Sequence, residues 1–166
     1  MKLKENTMEI YNPGIVFGEK NSRCSNHPAI KNSINNDIII PPNFKILIID
    51  DEIDFLKALE YRLAQKKIEV VAVESGYDAL EVLKEEYFDL IILDLVMPDM
   101  NGAETFKRIK QIEDKPFVVI VTAHSEDDQV ETVRKLTPFG FIKKPFDFNE
   151  LMPYIKKRVK EEVNGN

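Results

Sequence analysis

The sequence predicts an α/β fold, a doubly wound parallel sheet of five strands with helices on both faces. Three observations predict it. Short apolar runs of strand length occur five times after residue 43, at Phe44–Ile49, Ile68–Val73, Leu90–Leu93, Phe117–Val121 and Phe139–Ile142. Stretches with helical spacing separate them. The runs are continuously apolar instead of alternating, which is the mark of strands covered on both faces.

The segments in order bear this out. Residues 1–43 come first and hold eight asparagines, with Pro13, Pro28, Pro41 and Pro42. No period is sustained there, so this part reads as a polar leader, poorly ordered or loosely packed, closed by a Pro41-Pro42 hinge. Ile38-Ile39-Ile40 is too short a run to assign as a strand. Cys24 and His27 have the spacing of half a metal site, but no second pair accompanies them. The remainder, 44–166, reads as one domain.

Within that domain Ile53, Leu56, Leu59 and Leu63 form the first helical stripe. Ala79, Leu80 and Leu83 form the second, and Phe106 with Ile109 the third. Val130, Val133 and Leu136 form the fourth, and Leu151, Tyr154, Ile155 and Val159 the fifth. Ser75-x-x-Asp78, Ser125-x-x-Asp128 and Asp147-x-x-Glu150 supply helix starts, a capping oxygen ahead of an acid. Pro153 belongs in the first turn or so of the last helix, or else kinks it.

The 166 residues carry a formal net charge of −6, which argues against a basic nucleic-acid-binding surface. The one dense basic run, Lys156-Lys157-Arg158, shares its helix with Glu161 and Glu162 and reads as a solvated face. The single cysteine excludes an internal disulfide. No run reaches the length of a membrane span, and the start lacks a signal-peptide pattern, so no membrane insertion is expected and the cytoplasm is the expected location.

Sheets of this kind place functional groups at the carboxyl ends of their strands. Asp50, Asp51 and Glu52 follow the first strand, Asp94 the third, Thr122 ends the fourth, and Lys143-Lys144-Pro145 follow the fifth. The second strand leads into Glu74-Ser75 and offers no comparable group. If the first, third, fourth and fifth strands lie side by side, three carboxylates, a hydroxyl and an ammonium converge on one shallow pocket. Two like charges about 4 Å apart repel by roughly 4 kcal/mol at an effective dielectric of 20. Asp50, Asp51 and Asp94 therefore need countercharge. Lys144 supplies one positive charge and a divalent cation the rest. An oxygen-only set without His or Cys favours magnesium, with manganese an acceptable substitute.

Asp94, alone at a strand tip, is the nucleophile candidate, since a carboxylate can attack phosphorus to give an acyl phosphate. Asp51, helped by Asp50, would hold the metal. Lys144 would clamp one phosphoryl oxygen and Thr122 donate a hydrogen bond to another.

DDE at 50–52, LDLVMPDMNG at 93–102, VTAH at 121–124 and FIKKPF at 141–146 together resemble a response-regulator receiver domain of two-component signalling. The resemblance runs from Phe44 to about Val163. It implies a flavodoxin-like fold with strand order 2-1-3-4-5. It implies phosphoryl transfer to Asp94 from a histidine kinase or histidine phosphotransfer protein, with magnesium held by Asp50, Asp51, Asp94 and the backbone carbonyl of Val96. Thr122 and Lys144 match the phosphate-binding pair. Phe141 matches the aromatic that rotates with Thr122 in the receiver switch, although it lacks a tyrosine hydroxyl. Val96 and His124 fall at two positions that tune dephosphorylation. The implied output is contact with a downstream effector protein through helix 4, strand 5 and helix 5, and a homodimer is compatible with it.

Such a domain phosphorylates and dephosphorylates itself and is not a turnover enzyme. Nothing resembling a DNA-binding or catalytic output module follows Val163, so a stand-alone receiver is expected, with an excised piece of a larger regulator as the alternative. Two other classes compete. An aspartyl-phosphate phosphatase wants a second acid two residues beyond the nucleophile, where Val96 stands. An inert pseudo-receiver scaffold would not need all of Asp50, Asp51, Asp94, Thr122 and Lys144.

Overall fold

The computed structural model describes residues 39–123 and 128–164. Five β-α units follow one another in it: β1 (Lys45–Ile49), α1 (Ile53–Ala64), β2 (Glu69–Val73), α2 (Gly76–Glu85), β3 (Leu90–Asp94), α3 (Gly102–Ile112), β4 (Val118–Thr122), α4 (Asp128–Lys135), β5 (Gly140–Lys143) and α5 (Phe148–Asn164). All strand pairs are parallel and the order is β2-β1-β3-β4-β5. This is the doubly wound sheet the strand pattern predicts. Residues 1–38, with Cys24 and His27, lie outside the described residues, as do His124 and the Ser125 cap. Ile39 and Ile40 join no strand. Ile40 packs on the core and Ile39 is exposed.

Alternation along the strands splits the core into two layers. Ile46 and Ile48 of β1 face α1 and α5, meeting Leu56, Leu59, Leu63, Leu151, Ile155 and Val159. Leu47 and Ile49 face the other way, toward Ala79 of α2, Phe106 and Ile109 of α3, and Val130 and Val133 of α4. Strands β1, β3 and β4 are buried almost throughout, which explains their unbroken apolar runs. Ile53 departs from its predicted stripe and is exposed at the start of α1.

Four strands begin one residue later than hydrophobicity suggests: Phe44, Ile68, Phe117 and Phe139 stand just ahead of them and pack into the α1/α5 side of the core. The polar residues at the far end stay in the ladder. Asp94 pairs with Val121, and Thr122 with Lys143.

The caps fall as predicted at Ser75, whose Oγ accepts the Asp78 N–H at 3.1 Å. At Asp147 the N–H donates to Glu150 Oε1 at 2.9 Å, the reciprocal half of a capping box. Pro153 lies in the second turn of α5, and the helix runs on past it to Asn164. Among the described residues no helix is long and apolar enough to cross a membrane.

One expectation is overturned. Arg158 is not part of a solvated face: it is 6% exposed. Its guanidinium lies 4.1 Å from the Phe117 ring centroid, Nε donates to the Asp89 carbonyl at 2.9 Å, and NH2 donates to the Tyr87 hydroxyl at 3.2 Å. Asp89 in turn accepts the Lys45 N–H through Oδ2 at 2.7 Å. Helix α5 is thereby fastened to the starts of β1 and β3, at the end of the sheet opposite the acidic residues. Arg158→Met keeps most of the stem but removes the donors. Its expected cost is about 3 kcal/mol, from a buried charge network broken on one side. Urea denaturation measures it, and an unchanged midpoint would show the network to be idle.

Candidate functional site

The sheet order brings the ends of β1, β3, β4 and β5 together. Asp50 leaves the end of β1, 1% exposed, and Asp94 closes β3 at 4%. Between them stands Lys144, just past β5. Its Nζ donates to Asp50 Oδ2 and to Asp94 Oδ2, each at 2.7 Å. Glu52 Oε1 accepts from the same ammonium at 3.0 Å, and the Phe55 ring centroid lies 4.5 Å away. The main chain of Lys144 is fixed by its N–H donating to the Thr122 carbonyl at 2.9 Å. The peptide that follows, Lys144–Pro145, is cis.

The other carboxylate oxygens are taken by local turns. Asp50 Oδ1 accepts the Glu52 N–H at 3.0 Å, and Asp94 Oδ1 accepts the Val96 N–H at 3.1 Å. Each acid thus folds the loop behind it, as short polar side chains do. Gly102 closes the second loop: its N–H donates to the Leu95 carbonyl at 2.9 Å. A Cβ at that position would stand 2.2 Å from the Asp94 carbonyl oxygen and 2.5 Å from Leu95 Cα. Only glycine lets α3 begin so close to the main chain of Asp94.

Burial pushes the Asp50 carboxyl above the ordinary aspartate range, against the hydrogen bond from Lys144 that favours the charged form. Burial alone would lower Lys144, but its hydrogen bonds to Asp50, Asp94 and Glu52 outweigh this and raise it. Several carboxyl groups thus surround a single ammonium. Asp50, Asp51 and Asp94 each offer one carboxylate oxygen, all within 4.8 Å of one another. Asp51 is exposed while its two neighbours are buried, so the cluster opens to solvent on one side. An oxygen-only set with an open side suits a hard divalent cation that keeps some of its water.

Sequence reasoning brought Asp50, Asp51, Asp94 and Lys144 to one place, and the structure puts them there. Thr122 is buried at the end of β4, beside this group. Val96 contributes its N–H to the loop and leaves its side chain 43% exposed. Phe141 sits half-buried on β5. The Arg134 guanidinium lies 4.7 Å from its ring centroid, and its carbonyl accepts the Tyr154 hydroxyl at 2.9 Å. His124 is not among the described residues. The ring of Phe55 and the carboxylate of Glu52 were missed as partners of Lys144. Glu52 was signalled by its place beside the acidic pair, but nothing in the sequence points to Phe55.

A buried acid bridged by lysine to a second acid, with a third carboxylate at the open side, on this sheet topology, defines a class of signalling domain. Residues 46–156 match the response regulator receiver domain family, and the chain belongs to it. It is 33% identical over 115 residues to sporulation initiation phosphotransferase F of Bacillus subtilis, covering 69% of this chain and 93% of that protein. It is 34% identical over 115 residues to the response regulator ArlR of Staphylococcus aureus, covering 68% of this chain but about half (51%) of that longer protein. Among solved structures it is similar to the response regulator TrrA of Thermotoga maritima in complex with Mg2+-BeF, 28% identical with a TM-score of 0.60. That likeness covers 69% of this chain and 97% of TrrA.

The chain is thus a receiver-type signalling domain and not a turnover enzyme. Its acidic cluster is of the magnesium-binding kind typical of phospho-accepting domains. Its general partners are histidine kinases or phosphotransfer proteins.

Proposed function

We propose that Asp94 is the phosphoacceptor, receiving a phosphoryl group from a phosphohistidine of a kinase or phosphotransfer protein. The observation that carries this reading is the Lys144 ammonium held 2.7 Å from both Asp50 and Asp94. A cation in that place can follow an oxygen of the incoming phosphoryl group. An Asp94 carboxylate oxygen forms a bond to phosphorus while the bond from phosphorus to the donor nitrogen breaks. The electron pair stays on that nitrogen, which takes up a proton. Lys144 turns from the carboxylate to a phosphoryl oxygen, and the Thr122 hydroxyl donates to another. Asp50, Asp51, Asp94 and the Val96 carbonyl would hold magnesium or manganese, which supplies charge neutralisation for the transferred group when bound.

The unit that does this is 44–166, with 1–43 a separate leader. Phosphorylation shifts an existing equilibrium in which Thr122 and Phe141 move together and α4, β5 and α5 change the surface offered to an effector or a second copy. The ring of Phe141, partly buried against the core on the α4 side with the Arg134 guanidinium over it, supports that assignment. Val96 and His124 set the phosphoryl lifetime. The cytoplasm, where phosphohistidine donors are made, is the proposed location.

Intact-protein mass spectrometry tests the central step. With magnesium and acetyl phosphate, the chain should gain one phosphoryl group. Asp94→Asn should gain none, and chelation should abolish the gain in the wild type. A wild type that stays unmodified under every donor would leave the pseudo-receiver scaffold as the better reading.

A further inference from the structure

Three acids, not two, hold the ammonium at the centre of the site. Asp50 and Asp94 are buried, but Glu52 reaches Lys144 from the solvent side with its side chain 65% exposed. Its main chain is anchored independently, by the N–H to Asp50 Oδ1 and by the carbonyl accepting the Leu56 N–H at 3.0 Å. The carboxylate can therefore let go without disturbing the loop or the start of α1. Bound to Nζ, it occupies a position on the open side of the very cation that must receive a phosphoryl oxygen. It also adds a fourth negative group to Asp50, Asp51 and Asp94 at the mouth.

We infer that Glu52 is a positioning residue for Lys144, a detachable tether that holds the ammonium on the carboxylates and must release it before an anionic donor can engage. This rests on the reading of Asp94 as phosphoacceptor. Release costs the exposed ion pair only a modest amount, so the tether retards the reaction without blocking it. Its effect scales with donor charge, because the same carboxylate both competes for the lysine and repels the approaching anion. A partner that presents a cation to Glu52 while delivering its phosphohistidine would lift the restraint, whereas a small donor cannot.

The test compares the full chain with Glu52→Gln, which keeps the shape and removes the charge. At saturating magnesium, phosphorylation of the variant by acetyl phosphate should be about two- to fivefold faster than that of the wild type. Phosphoramidate carries less negative charge at neutral pH, and the gain with it should be smaller. The wild-type rate with acetyl phosphate should climb with added salt more steeply than the variant rate. Equal rates, or one factor for both donors, would overturn the inference. A second measurement needs no phosphorylation: proton exchange of the Lys144 ammonium, followed by nitrogen-15 NMR, should be faster in Glu52→Gln. If neither protein takes a phosphoryl group, the Asp94 reading falls, and the exchange result alone decides on the tether. Faster exchange upholds it and unchanged exchange overturns it.

Discussion

Lys144→Met should leave the metal-free protein about 3–5 kcal/mol less stable, the usual cost of removing one partner from a buried ion pair. Methionine fills much of the space of the lysine stem against Phe55, so packing is largely kept and the loss is electrostatic. Asp50 and Asp94 would remain almost fully buried with no cation between them. The sign with pH follows from Asp50, whose carboxyl burial already holds above its ordinary range and which Lys144 partly restrains. Without that restraint the folded protein binds the proton still more tightly than the unfolded chain. Stability therefore falls as pH rises through the raised folded value, and the deficit of the variant is smallest in mild acid and largest at neutral pH. Magnesium should reverse the order of effects. It binds only the folded carboxylate set, and without a competing ammonium it should stabilise the variant more than the wild type. Thermal melts with and without magnesium at two pH values check all three statements. A variant as stable as the wild type in chelator would show that the carboxylates do not depend on Lys144.

Gly102→Ala should be strongly damaging for a single methyl group. The added Cβ meets the Asp94 carbonyl oxygen at 2.2 Å and Leu95 Cα at 2.5 Å. Both are main-chain atoms at the end of a buried strand, so neither can swing aside as a flexible side chain would. Overpacking of this sort costs about 1–3 kcal/mol, and the rigidity of these neighbours places the substitution at the upper end. Relief requires α3 to withdraw from β3 or Asp94 to shift. Either outcome should weaken magnesium binding along with stability. Urea denaturation and a calorimetric magnesium titration on the same sample measure the two losses. An alanine variant with a normal midpoint and normal magnesium affinity would mean that the loop absorbs the methyl group.

The sheet and its site were legible for the same reason. Runs such as LIILD carry both the burial of a strand and the position of its end, so the fold assignment and the placement of Asp94 came from one pattern. Lys144 and Asp50, 94 residues apart in sequence, were joined because parallel strands deliver their ends to one side. The Asn101 cap is absent from the predicted helix starts, although Asn101-x-x-Glu104 has the spacing of a capping box and Asn101 Oδ1 accepts the Glu104 N–H at 2.9 Å. Arg158 was not readable. Its nearest acceptor is a main-chain carbonyl 69 residues away, and the side chains it meets there, Tyr87 and Asp89, are as remote in sequence. Tyr154 was not readable either: its hydroxyl also finds a carbonyl, that of Phe141. Charge and hydroxyl positions announce which groups need partners, but not which backbone atom will meet the need.

The fastening of α5 by Arg158 divides the molecule into regions of unequal persistence. At that end Asp89, Tyr87 and Phe117 converge on one guanidinium and Asp89 also holds the Lys45 N–H, so opening there should require most of the chain to unfold. At the other end a single lysine spans several acids, and loops follow every strand. Amide protons in the first half of each strand should then outlast those in the second half during exchange with solvent. In the proposed switch the acidic end moves, and the opposite end would keep the sheet assembled meanwhile.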